Sequence, residues 1–227
     1  MRNERREDII LPPGLPGTLC VPRNSRGLVA FAHGSGSGRF SPRNTAVAKA
    51  LNGRGFGTLL FDLLTPQEEQ DRSNVFDIPL LGGRLVEAVN WLVSEDAELT
   101  KLPVGLFGAS TGAAAALVAA ARLPARIAAV VSRGGRPDLA GEALALVRAP
   151  TLLIVGGADF GVIELNEEAL ARLPEPKALT LVPGATHLFP EPGAMETVIE
   201  LAVRWFERFL GPEAPGGQDA QGRKFHA

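Results

Sequence analysis

Short apolar runs recur along the chain at 27–33 (GLVAFAH), 57–63 (GTLLFDL), 104–108 (VGLFG), 127–132 (IAAVVS), 151–156 (TLLIVG) and 178–183 (ALTLVP). Most are apolar on both faces, the pattern of strands in a sheet covered on both sides. Between them the period changes to that of a helix. Ser41-Pro42 supplies an N-cap and a proline at the first helical position, predicting a helix through Leu51 that closes near Gly53. Ile78, Leu81, Leu85, Val89 and Leu92 recur at three- and four-residue steps, and Val198, Leu201, Ala202, Trp205 and Phe209 repeat the pattern later. Ahead of all these, EDIIL and GTLCVP flank PPGLPG, predicting an antiparallel pair with a proline–glycine turn. The alternating order predicts an α/β fold with a mostly parallel central sheet flanked by helices. No internal repeat is visible. Residues 1–210 are expected to form one domain, and 211–227 (GPEAPGGQDAQGRKFHA) a disordered tail, because that stretch has almost nothing to bury.

Ligand sites in open α/β sheets form at the carboxyl ends of the strands, so the polar residues just past each run are the candidates for chemistry. After VGLFG comes Gly108-Ala109-Ser110-Thr111-Gly112, a match to G-x-S-x-G. That pattern serves a sharp strand-to-helix turn that holds a serine Oγ above the sheet. The following TGAAAALVAAARL reads as a tightly packed helix whose N-terminal N–H groups face a developing oxyanion. With 26 glycines in the chain, the motif alone leaves a plain alternative, a serine capping a buried helix. Two further strand ends agree with the catalytic reading. Asp159 follows TLLIVG in GADFG, and His187 follows ALTLVP in GATHLF. Singly, each would be read as a turn carboxylate and a loop histidine. Together they give the order Ser, Asp, His, in which His187 takes the serine proton and Asp159 fixes the imidazole tautomer. Asp62, after GTLLF, is an alternative triad acid, and its plain role is pairing within the loop LLTPQEEQDRSNVFD, which is long, charged and placed to border the site. Glu164 reads as part of the first turn of the helix after Asp159.

The third run is followed by His33-Gly34-Ser35-Gly36-Ser37-Gly38. A glycine-rich turn there exposes amides toward an oxyanion, with Thr111 N–H as one donor and Ser35 or Gly34 N–H as the other. A phosphate loop is the competing reading, but G-x-x-x-x-G-K-[ST] is not met. Neither is the spacing of a dinucleotide loop. His33 is expected to buttress this loop, and His226 in the tail to be inert. Three histidines without close acidic or cysteine partners predict no metal site, and no cofactor requirement is visible.

Composition narrows the partners. The formal net charge is −2 and no block of like charge appears, which gives no argument for nucleic acid or an anionic membrane. A single SRGGRPD in an apolar context is weak grounds for an RGG-type RNA contact. Cys20 is the one cysteine, so no internal disulfide can form, and on an early strand it is expected to be buried. MRNERREDII lacks the apolar region of a signal peptide, and the run from Ala113 to Ala121 is too short to span a bilayer. The expectation is a cytoplasmic protein; oligomeric state is not legible.

With AHGSGSGRFSPRN, FGASTGAAAAL, IVGGADF and GATHLF in that order, the sequence resembles the α/β-hydrolase superfamily, in particular the dienelactone hydrolase family, over about residues 8–210. The resemblance implies a Ser110–Asp159–His187 triad and hydrolysis of a small ester, lactone or related acyl bond. Dienelactone hydrolases proper carry a cysteine nucleophile, and Cys20 is nowhere near the elbow, so the likeness is to serine-bearing relatives. Some of these are joined to a phosphoribosyltransferase-like domain, which is not expected here. The crossover between Ser132 and Thr151 has room for one short helix, expected at Gly141 to Val147, and so for no more than a minimal cap over a shallow site. Arg133 and Arg136, just past a strand end, could bind a substrate carboxylate; the simpler reading is that one or both pair with Asp138 or another acid and stiffen the loop. Two other functions stay open: a non-catalytic small-molecule-binding protein on the same fold, and acyl transfer or perhydrolysis on the same triad.

Overall fold

The computed structural model describes residues 4–95 and 97–211. The predicted tail from 212 onward, with His226, lies outside the described residues. Eight strands form a single sheet: β1 (Glu4–Leu11), β2 (Leu15–Pro22), β3 (Leu28–Ala32), β4 (Gly57–Phe61), β5 (Val104–Ala109), β6 (Ile127–Arg133), β7 (Thr151–Gly156) and β8 (Lys177–Val182). Their order in the sheet is β1-β2-β4-β3-β5-β6-β7-β8. β2 runs antiparallel to both β1 and β4, and all other pairs are parallel. The antiparallel pair is longer than EDIIL and GTLCVP suggest. Its turn is only Pro12–Gly14, closed by Gly14 N–H to Leu11 O at 2.7 Å, and Leu15–Gly17 already belong to the second strand. Charged Glu4–Asp8 along β1 stay largely exposed, which suits an edge that must not recruit further strands.

Five α-helices cover the sheet: α1 (Pro42–Gly53), α2 (Ile78–Glu95), α3 (Thr111–Arg122), α4 (Phe160–Arg172) and α5 (Ala194–Leu210). Ser41 Oγ accepts the Asn44 N–H at 3.5 Å and Pro42 opens α1, as its sequence predicts. The two faces of the sheet form separate cores. Leu28, Ala30, Leu106, Val130 and Leu153 pack with α2, α3 and α4, whereas Val29, Phe31, Phe107, Val131 and Ile154 pack with α1 and α5. The alternation along β3 and β6 explains why their sequences show no polar face: both faces are interior.

α3 is the most enclosed helix, buried from Thr111 through Ala120. Its alanines let it approach β5 and α2 closely; a Cβ on Gly82 of α2 would stand 2.7 Å from Val118 Cγ1. The crossover after β6 carries only a 3₁₀ segment, Pro137–Leu146, interrupted at Gly141 by φ 54°. It begins earlier than the predicted Gly141–Val147 helix because Pro137 fixes the first turn. No cap domain is built there. Ala116 is fully buried between sheet and helices. Ala116→Leu is expected to destabilise the fold by about 1–3 kcal/mol through overpacking, read as a lower midpoint in urea unfolding at unchanged slope.

Candidate active site

The carboxyl ends of β3, β5, β6, β7 and the segment after β8 converge on one rim. Ser110 stands where β5 ends and α3 begins, with φ 52° and ψ −123°. That conformation is sparsely populated for a residue with a Cβ and costs on the order of 1–3 kcal/mol. It is held from two sides: Ser110 N–H donates to Arg133 O at 3.3 Å and Ser110 O accepts from Arg136 N–H at 3.0 Å. Although Ser110 occupies the N-cap position of α3, its side chain makes no capping hydrogen bond. The plain capping role is therefore not what its hydroxyl does.

The turn is tight because glycine stands on both sides. A Cβ on Gly108 would lie 2.5 Å from Ala113 Cα, and one on Gly112 would lie 2.2 Å from Ala32 O. The loop after β3 also crowds the serine, since a Cβ on Gly34 would come within 2.8 Å of Ser110 Cβ. Ser35 N–H donates to Thr111 Oγ1 at 3.1 Å, so one of the two expected loop donors is already engaged. The N–H groups of Thr111 and Gly34 have no acceptor among the described residues.

His33 holds this loop as expected. Its Nε2 lies 3.1 Å from Leu63 N, a donor, so Nε2 must be the acceptor and Nδ1 the protonated nitrogen, 3.0 Å from Gly34 O. Burial pushes the imidazole pKa below its usual 6.5. Asp62 fastens the other end of the loop: it accepts from Arg39 N–H at 2.7 Å and forms an ion pair with the Arg39 guanidinium. This is its plain role, and its carboxylate makes no hydrogen bond to His187.

His187 Nδ1 lies 2.7 Å from Asp159 Oδ2. Asp159 is the N-cap of α4, yet its side chain caps nothing and faces the imidazole instead. Glu164 falls beyond the first turn of α4, which holds no acid. His187 borders the same turn as Ser110, because a Cβ on Gly134 would stand 3.0 Å from His187 O. Two residues that the sequence did not single out position these segments. Glu191 Oε1 accepts from Thr186 N–H at 3.1 Å and Thr186 Oγ at 2.6 Å, bracing the residue before His187. Buried Asn166 donates to Gly135 O at 3.0 Å. Asn166 has no sequence signal, since it acts on backbone that only the fold brings near, whereas Glu191 is five residues from Thr186 in the same loop.

The two rim arginines separate. Arg136 makes a bidentate pair with Asp138 at 2.9 and 2.8 Å and stiffens the loop, as the simpler reading expects. Arg133 is buried and pairs with no acid among the described residues, so one of the two arginines, and not both, takes an acid. A cavity of about 620 Å³ opens beside the glycine loop, walled by Leu63, Leu64, Val75, Phe76 and Leu81, with Glu69 and Arg72 in its lining. The loop after β4 thus borders the site, and Arg72 and Glu69 join the residues that sequence reasoning passed over. Cys20 is buried, and its thiol is pushed up to about 11 by burial and by the Glu4 carboxylate, so it is no nucleophile at neutral pH. No metal-binding group of side chains occurs among the described residues, and none of their helices is long and apolar enough to cross a membrane.

No family model matches the chain. Over 217 residues it is 56% identical to "Putative phosphoribosyl transferase Rv0571c" of Mycobacterium tuberculosis, covering 96% of this chain and 49% of that one. The chain spans about half the length of the curated relatives it matches. A dienelactone hydrolase from Anabaena variabilis is 50% identical, with a TM-score of 0.87 over 90% of this chain and 98% of its own. Est1E from Butyrivibrio proteoclasticus, 16% identical with a TM-score of 0.74 over 88% of this chain and 97% of its own, shares the fold. The mostly parallel eight-stranded sheet and its helical layers are those of the α/β-hydrolases. Within that superfamily, the chain belongs to the dienelactone hydrolase family.

The His33 arrangement has a pH consequence. A histidine whose pKa is lower in the folded than in the unfolded state contributes its stabilisation fully above the unfolded value near 6.5. As pH falls through and below that value the unfolded chain binds the extra proton and stability is lost. Unfolding free energy of the protein should therefore decline between about pH 7 and pH 5, and His33→Asn should flatten that decline in parallel urea titrations.

Proposed function

We propose that the chain hydrolyses small carboxylic esters or lactones through an acyl-enzyme on Ser110. The observation that carries this reading is a strained, non-capping serine at the head of α3, bonded through its backbone to the end of β6, whose following Gly134 lies against the backbone of the Asp159-paired His187. Ser110 Oγ attacks the carbonyl carbon while His187 Nε2 accepts its proton. The carbonyl oxygen becomes an oxyanion beside the Thr111 N–H and an amide of the Gly34–Ser35 loop. The tetrahedral adduct then collapses, the C–O bond to the alcohol breaks, and His187 returns the proton to the departing alkoxide. Water, deprotonated by His187, attacks the ester of Ser110, and the serine leaves as the acid is released. Asp159 keeps Nδ1–H directed at itself, so Nε2 stays basic, and it stabilises the imidazolium.

The size class follows from the surroundings. Among the described residues no cap encloses the rim, so a long acyl chain would remain largely in water. The cavity beside the glycine loop and the exposed side chains of Phe40, Phe76, Phe160 and Leu188 offer apolar contact to a compact ester. With a p-nitrophenyl acetate assay, Ser110→Ala is expected to remove turnover to near background, and Asp159→Asn to lower kcat by about 10⁴-fold with little change in KM. Full activity in Ser110→Ala would reject the reading, and a folded, wholly inactive parent across an ester and lactone panel would favour the binding-protein alternative.

A further inference from the structure

Arg133 is not used by this chemistry, and its surroundings are unusual for an arginine. It ends β6 on the sheet face of Val131, the face covered by α1 and α5. The residue is 5% exposed, its Nε has no partner, and its side chain's one hydrogen bond among the described residues is a long one, Nη2 to Asn44 Oδ1 at 3.5 Å. The guanidinium lies 6.0 Å from the Phe189 ring. Arg43, in the first turn of α1, is half-buried, with an Nε that is also buried and unpartnered. Neither arginine forms an ion pair among the described residues. Burial and the neighbouring Arg43 lower the Arg133 pKa to about 10, which still leaves it a cation at neutral pH.

A buried guanidinium with no counter-ion, set against the positive first turn of α1 through Asn44, opposes folding unless a negative charge joins it. The third component is the start of α1, a helix of 12 residues. Pro42 has no N–H and Asn44 N–H is taken by Ser41, which leaves Arg43 N–H without an acceptor among the described residues. A backbone donor at a positive helix end and two guanidinium forks are the donor set of an oxyanion. From this arrangement we propose that Arg133, Arg43 and the first turn of α1 bind a small oxyanion, a phosphate or carboxylate group. The site is adjacent to the reactive rim: Arg133 O accepts the Ser110 N–H, and Phe189 follows His187 closely in the chain. Its existence does not depend on whether the chain hydrolyses esters.

The test is thermal unfolding at constant ionic strength, with sodium phosphate and sodium succinate in separate titrations against sodium chloride. The parent should gain about 3–5 °C when the anion is roughly tenfold above its Kd, with the more effective salt identifying a phosphoryl or a carboxylate ligand. Arg133→Met should lose this gain, and Arg43→Met should show a smaller one. In chloride alone Arg133→Met should melt at or above the parent, because a buried cation without a counter-ion has been removed. An Arg133→Met protein that fails to fold, or melts well below the parent in chloride, would show that the guanidinium belongs to the fold and overturn the proposal. So would equal anion responses in parent and variant, or no response of the parent to either salt.

Discussion

The close passage of β3, β5 and α3 around Ser110 is the constraint on which the rest of the rim depends. With Gly112 leaving 2.2 Å between a hypothetical Cβ and Ala32 O, the head of α3 can lie directly on the end of β3 only because no side chain intervenes. That contact turns the chain sharply enough to force a positive φ on Ser110. The strain is held by packing rather than by a local hydrogen bond of the serine side chain. A fully buried, alanine-rich α3 anchors one side, and backbone bonds to Arg133 and Arg136 anchor the other.

From this turn the neighbouring loops take their places. The glycine loop is drawn against Ser110 and pinned at both ends, by His33 to Leu63 and by Arg39 to Asp62. The turn after β6 supplies Gly134, against which the His187 backbone rests, and Asn166 reaches up from α4 to hold Gly135. Asp159 and Ser110 share a structural habit: each occupies an N-cap position and declines to cap, which leaves its side chain free for another partner. Electrostatic order on the rim is uneven. Arg136 is matched by Asp138 and Arg39 by Asp62, whereas Arg133 is left inside with no acid beside it among the described residues.

Much of this was legible in the sequence, for identifiable reasons. Buried parallel strands must be apolar on both faces, so β3, β5, β6 and β7 announce themselves as continuous runs. Glycines at 108 and 112 carry their meaning because only a hydrogen fits between backbones there. Ser110, Asp159 and His187 could be placed because each follows a recognisable run. The 3₁₀ segment at Pro137–Leu146 was harder, since a broken helix with φ 54° at Gly141 has no clean period. Arg133 and Arg136 could not be told apart for a related reason: SRGGRPD offers one nearby acid, and which of two arginines takes it depends on the direction of each side chain at the strand end. Asn166 and the cavity lining at Glu69 and Arg72 act across distances in sequence that no local pattern encodes.

The Mycobacterium tuberculosis relatives of 56% identity extend to about twice this length, and the chemistry argued here concerns the stretch they share with this chain. Its central claim is that Ser110 is an activated nucleophile and His187 its base. Labelling with a fluorophosphonate probe, read by intact mass and peptide mapping, tests this without knowledge of the substrate. A single adduct on the peptide that carries Ser110, formed by the folded protein and lost in His187→Ala, is the result the account predicts. A folded protein that takes up no label, or labels equally well without His187, would contradict it.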